Sequence, residues 1–190
     1  MKNKPTILFN ANILFTLIGF ILFIGCSNSE SQTQKLKDLD RSTLDSIRND
    51  VLDSYKDTIK VDTSVIIGKG DTVTVKFRHY CTYDKKINIP QEYLNIYKLS
   101  KFQTHNFVSQ IEFKINSKTI YNGLITKDDF KRSLSDELKR YGVLKYSPDI
   151  SISGKTVSIE YGIGIPLAGT ELGYIMKIDS TGGKHPGSLD

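Results

Sequence analysis

Several stretches of this chain alternate apolar and polar residues with a period of two, which restricts them to strands with one buried face. Val73, Val75, Phe77, His79 and Cys81 alternate with Thr72, Thr74, Lys76, Arg78, Tyr80 and Thr82. Phe107, Ile111, Phe113 and Ile115 alternate with Val108, Gln110, Glu112 and Lys114. Val157, Ile159, Tyr161, Ile163 and Ile165 share a third face, and Tyr174, Met176 and Ile178 a fourth. Turn chemistry separates the runs: Gly68-Lys69-Gly70-Asp71 precedes the first, Asn116-Ser117-Lys118 turns the second into Thr119–Ile125, and Gly154-Lys155 precedes the third. Short strands joined by tight turns pair antiparallel.

One segment reads as a helix packed on these strands. Thr126 is placed to cap it, Asp129 stands at the capping-box position, and Phe130, Leu134, Leu138 and Tyr141 form one stripe before Gly142. A second helical pattern lies upstream, where Leu44, Ile47, Val51 and Tyr55 recur at three- and four-residue steps. It is compatible with a docked helix or with a partly helical stalk, and its periodicity supports a partial helix without deciding whether it docks. The expected fold is therefore α+β: a curved antiparallel sheet of about six strands with one main packed helix, preceded by an amphipathic helical stalk. The corresponding boundaries are 1–25, 26–59 as tether and stalk, 60–180 as one domain, and 181–190 as a flexible tail.

The first 26 residues bear on location. Lys2 and Lys4 precede an uncharged run from Ile13 to Ile24, and Gly25-Cys26 follows. A basic start, an apolar middle and a small residue before the cut make a secretory signal. The run is short for a stable span, which needs about 20 apolar residues. Gly25-Cys26 resembles the end of bacterial lipoprotein signals, although Phe23 stands where Leu is commonest. The resemblance implies that the Cys26 thiol receives a diacylglycerol and that residues before it are removed. An uncleaved anchor helix is the alternative, and both put residues 27–190 outside the cytoplasm. The implied partner is membrane lipid, in the outer membrane rather than the inner.

Residues 26–190 keep 24 of the 26 basic residues, since only Lys2 and Lys4 fall before Cys26, against all 21 acids. A net charge of +3, evenly spread, argues against a nucleic-acid partner. With Cys26 acylated, Cys81 is the remaining thiol and has no partner within the chain.

Catalytic and metal motifs are sparse. His79, His105 and His185 are far apart and no Cys pair occurs, so zinc-type spacing is missing and no metal or other cofactor is expected. His79 and Cys81 point the same way from one strand, as core-edge residues or as a soft-ligand or nucleophile pair. Gly162-Ile163-Gly164 sits within a strand and reads as a bulge or bend. The long connection from Lys85 to His105 interleaves lysines with aromatics, and its candidate binding surface is Lys86, Tyr93, Tyr97, Lys98 and Phe102. It serves an envelope protein or glycan partner, or else it packs as a lid over the open end of the sheet.

The stretch Tyr121-Asn122-Gly123-Leu124-Ile125-Thr126-Lys127-Asp128-Asp129-Phe130, with Gly142-Val143-Leu144 after it, resembles a family of small Bacteroidetes lipoproteins with a domain of unknown function. The resemblance covers about residues 70–185. It implies an envelope location and this fold type, and it brings no catalytic residues. The expected function is a lipid-anchored, non-enzymatic binding domain; a hydrolase-like envelope enzyme with a site assembled from distant residues is the alternative.

Overall fold

The computed structural model describes residues 35–189; the signal, Cys26 and the tether expected at Ser27–Thr33 lie outside them. Asp40 opens helix α1 (Arg41–Ser54) by accepting from the Thr43 amide at 3.0 Å and from the Ser42 and Thr43 hydroxyls. These bonds hold its carboxyl well below the usual carboxylate range. The stripe seen in the sequence is the docked face: Leu44 and Tyr55 are buried, and Ile47 and Val51 pack against the core. Of the two readings open for this segment, docked helix or partly helical stalk, the helix is docked on the core.

Eight strands follow: β1 (Thr58–Ile67), β2 (Asp71–Asn88), β3 (Gln103–Ile115), β4 (Lys118–Ile125), β5 (Val143–Ser153), β6 (Thr156–Gly164), β7 (Glu171–Ile178) and β8 (Lys184–Ser188). They form two antiparallel sheets, in orders β1-β2-β3-β4 and β5-β6-β7-β8. The expectation of one sheet of six strands is corrected, and the architecture is predominantly β. Both sheets feed one core, which joins Val75, Phe77, Ile111 and Phe113 to Ile159, Tyr161, Ile163 and Met176. The Phe77 and Tyr146 rings meet 4.6 Å apart across the two sheets.

The additional strands lie at the margins. β1 pairs with β2 along its full length, yet most of its residues stay exposed, so burial imposes little pattern on it. β8 pairs with β7 from Tyr174↔Ser188 to Ile178↔Lys184, so the tail expected to be flexible is ordered over 184–188. Its turn is built by Asp179, which accepts from the Thr181 amide at 2.8 Å and the Gly183 amide at 3.0 Å. The β3–β4 turn takes the left-handed conformation at both Asn116 (φ 49°) and Ser117 (φ 67°), as a two-residue hairpin matched to strand twist requires.

The predicted helix after Thr126 is two short ones. A 3-10 helix covers Lys127–Ser133, Leu134 is extended (φ −89°, ψ 139°), and α3 (Asp136–Tyr141) restarts at Ser135. Serine favours caps over helix interiors, and the Ser135 hydroxyl accepts from the Leu138 amide at 3.2 Å. The apolar stripe survives the break, with Phe130, Leu134 and Leu138 all buried. A short helix α2 (Gln91–Leu94) lies within the long β2–β3 connection.

Lys127 joins the two short helices. Its Nζ donates to the carbonyls of Leu138 at 3.3 Å, Lys139 at 2.8 Å and Gly142 at 2.7 Å, capping the C-terminal end of α3. Burial lowers its pKa, opposed by the Asp128 carboxylate. Lys127→Met keeps the aliphatic stem and removes all three bonds. It is expected to cost about 2 kcal/mol, the low end for bonds to a charged donor at a half-buried site. A urea midpoint unchanged from wild type would refute this role.

Candidate functional site

The long β2–β3 connection is where the sequence placed a recognition surface, and the structure divides its five residues. Tyr97 and Phe102 are buried, at 2 % and 8 % exposure, together with Ile89 and Leu94. Lys86 and Lys98 are exposed, and Tyr93 is half-buried with its hydroxyl donating to Glu137 of α3. The desolvated Tyr93 hydroxyl, set against that carboxylate, has its pKa raised. Arg41 of α1 donates to the Tyr97 carbonyl at 2.8 Å, and Gln91 donates to the Leu99 carbonyl at 2.8 Å. These contacts make the segment a lid packed into the core, the second of the two readings the sequence left open; of the five residues, Lys86 and Lys98 are the exposed ones.

Beside the lid runs a shallow groove of about 350 Å³, lined by Arg48 and Leu52 from α1 and by Leu99, Lys101, Phe102 and Gln103. An apolar floor between two cations suits an extended ligand with an acidic group. Arg48 and Leu52 were beyond sequence reasoning, because helix α1 had to be docked before they could face the lid. A second open recess, about 520 Å³, lies between β8 and the short helices, where Asp128, Asp129, Lys131, Arg132 and Lys139 gather. Asp129 there is already engaged by the Thr126 amide at 2.8 Å and by the Lys184 ammonium.

The strongest nucleophile-like geometry is elsewhere, and it is sealed. His79 on β2 and Ser109 on β3 are cross-strand partners, with Nδ1 and Oγ 2.9 Å apart. Both are buried, at 5 % and 0 % exposure. Phe107 stacks on the imidazole at 5.4 Å with the rings 4° from parallel. Desolvation brings the His79 pKa down to about 4, so the ring is neutral at ordinary pH. Tyr161 lies next to Ser109, but its hydroxyl makes no hydrogen bond of proper geometry among the described residues. A substrate has no path to this pair without opening the core. Cys81 is likewise buried, with its thiol pKa pushed up by desolvation, opposite to what a reactive thiolate needs.

The Gly162-Ile163-Gly164 reading is also corrected. The ladder of β6 with β7 is unbroken there, and the irregularity in this sheet lies between Tyr146 and Ile150 of β5. The glycine at 162 makes room instead: a Cβ would stand 1.8 Å from the Glu171 carboxylate, which pairs with Lys145 at 2.9 Å. Among the described residues no three His, Cys, Asp or Glu side chains are grouped to hold a metal ion, and no helix is long and apolar enough to cross a membrane. No protein-family model matches the chain, and no curated protein does.

Proposed function

We propose that this chain is an envelope-anchored lipoprotein whose folded part is a non-enzymatic binding domain for a protein or glycan partner. The observation that carries the binding half is the groove between α1 and the lid, open and shallow with Arg48 and Lys101 on its rim. Enzyme sites are enclosed and hold convergent polar groups, whereas this surface suits a flat or extended contact. The resemblance of residues 70–185 to small Bacteroidetes lipoproteins supports the same reading, as does the pattern from Lys2 to Cys26, which supports export and acylation.

A photo-crosslinking residue at Lys101 of the full chain, irradiated in the native envelope, is expected to give a discrete adduct. The same residue at Lys155, beyond the opposite end of β2, is the control. Combining Arg48→Gln and Lys101→Glu is expected to weaken partner capture about tenfold or more, since each 1.4 kcal/mol is a factor of ten. Equal adducts from both positions, or none from Lys101, would remove the groove from the account.

A further inference from the structure

We infer that β1 is a dimerisation edge, pairing antiparallel with β1 of a second copy about a twofold axis at Val61. The four sheet edges are unequal. β8 is five residues long and contains Pro186, β5 carries Pro148 and a register break, and the pairing of β4 with β3 is irregular at Phe113 and Lys114. Such features discourage further strand pairing. β1 has none of them: ten residues, no proline, and an unbroken ladder with β2 from Thr58↔Tyr80 to Ile67↔Asp71. Among the described residues nothing pairs with its outer side.

Its side chains are also those of a strand still to be covered. Ile59, Val61 and Val65 lie on the same face as buried His79, Phe77 and Val73, because cross-strand partners share a face. Ile59 is nevertheless 40 % exposed, and an axis at Val61 sets it against Thr63 of the second copy; Val65 and Ile66, 36 % and 77 % exposed, lie beyond the paired stretch. β1 therefore overhangs the core, with apolar groups in water.

Charge selects the occupant. A twofold axis normal to the sheet keeps the inner faces of both copies on one side, so each residue can face only residues of its own parity. An axis at Asp62 sets that carboxylate against its own copy. An axis at Thr63 places Lys60 opposite Ile66. The axis at Val61 places Lys60 opposite Asp62 of the second copy, twice over. Within one chain Lys60 has Arg78 as its cross-strand neighbour, a like charge, while Asp62 faces Lys76; the second copy's Asp62 offsets the Lys60–Arg78 repulsion. The result is a continuous sheet of eight strands across the pair.

The test uses the full chain in detergent, with the wild type as the control for Cys26 and Cys81. Antiparallel partners on the axis have Cα atoms about 4.5 to 5.5 Å apart, within disulfide reach. Mild oxidation of Val61→Cys should give covalent dimer at least tenfold above wild type, Asp62→Cys and Thr63→Cys. Lys60→Asp should weaken the dimer roughly tenfold, and Lys60→Asp with Asp62→Lys should restore it. Both positions are exposed, so neither change threatens the fold. A one-copy mass for the wild type by light scattering, a Val61→Cys yield at background, or strongest crosslinking at position 62 or 63 would each overturn the inference; another protein's strand on this edge would show as the first two.

Discussion

Replacing Tyr97 by alanine is expected to cost about 3 to 5 kcal/mol of stability, whereas replacing it by phenylalanine should cost nothing. The ring is among the largest fully buried side chains and belongs to the main core, so truncation removes buried area and leaves a cavity. The hydroxyl, however, has no hydrogen-bond partner among the described residues, and burial raises its pKa. An unpartnered buried hydroxyl contributes only a desolvation cost, so Tyr97→Phe is expected to match wild type or exceed it by up to about 1 kcal/mol. Urea unfolding of both variants separates a lid from a surface: a recognition tyrosine would tolerate alanine and lose partner capture instead.

The second large effect is on acid stability. His79 has a folded pKa of about 4 against an ordinary 6.5, so between those values the unfolded chain binds the proton and the folded chain does not. Its contribution is fully present above about pH 6.5 and is lost as the pH falls toward 4. The whole shift corresponds to about 3 kcal/mol, at 1.36 kcal/mol per pH unit. His79→Gln keeps a polar group for Ser109 and removes the titration. The stability difference between wild type and His79→Gln should therefore change across pH 6.5 to 4 and be flat above it. A constant difference over that window would place His79 in solvent.

Where burial is one-sided and complete, the sequence was readable. Val73 to Cys81, Phe107 to Ile115 and Val157 to Ile165 all bury the expected face, because period-two alternation is imposed by a covered face. β1 escaped because no second sheet covers it; Thr63 sits in its inner row and Ile66 outside. The break at Leu134 was visible only as two flanking serines, whose capping role depends on what the backbone does next. Ser109 shares the parity of Phe107 and Ile111, and that was the available sign that it points inward. Its pairing with His79 depends on strand register, which no local pattern specifies. In the candidate site, the lysines of the long connection are exposed, as charged side chains usually are, but whether its aromatics face in or out is decided by the docking of α1. Residues far apart in sequence, such as Arg48 and Lys101, become one groove only through that docking.

Cys26 is the proposed anchor and address for everything folded behind it. Mass spectrometry of the N-terminal peptide of full chain purified from its native envelope tests this most directly. The expected peptide begins at Cys26, with a diacylglyceryl group on sulfur and an acyl chain on the new amino terminus; each buried methylene of those chains adds about 0.8 kcal/mol of membrane binding. A peptide that retains Met1 to Gly25, or one with a free Cys26 thiol, would contradict it.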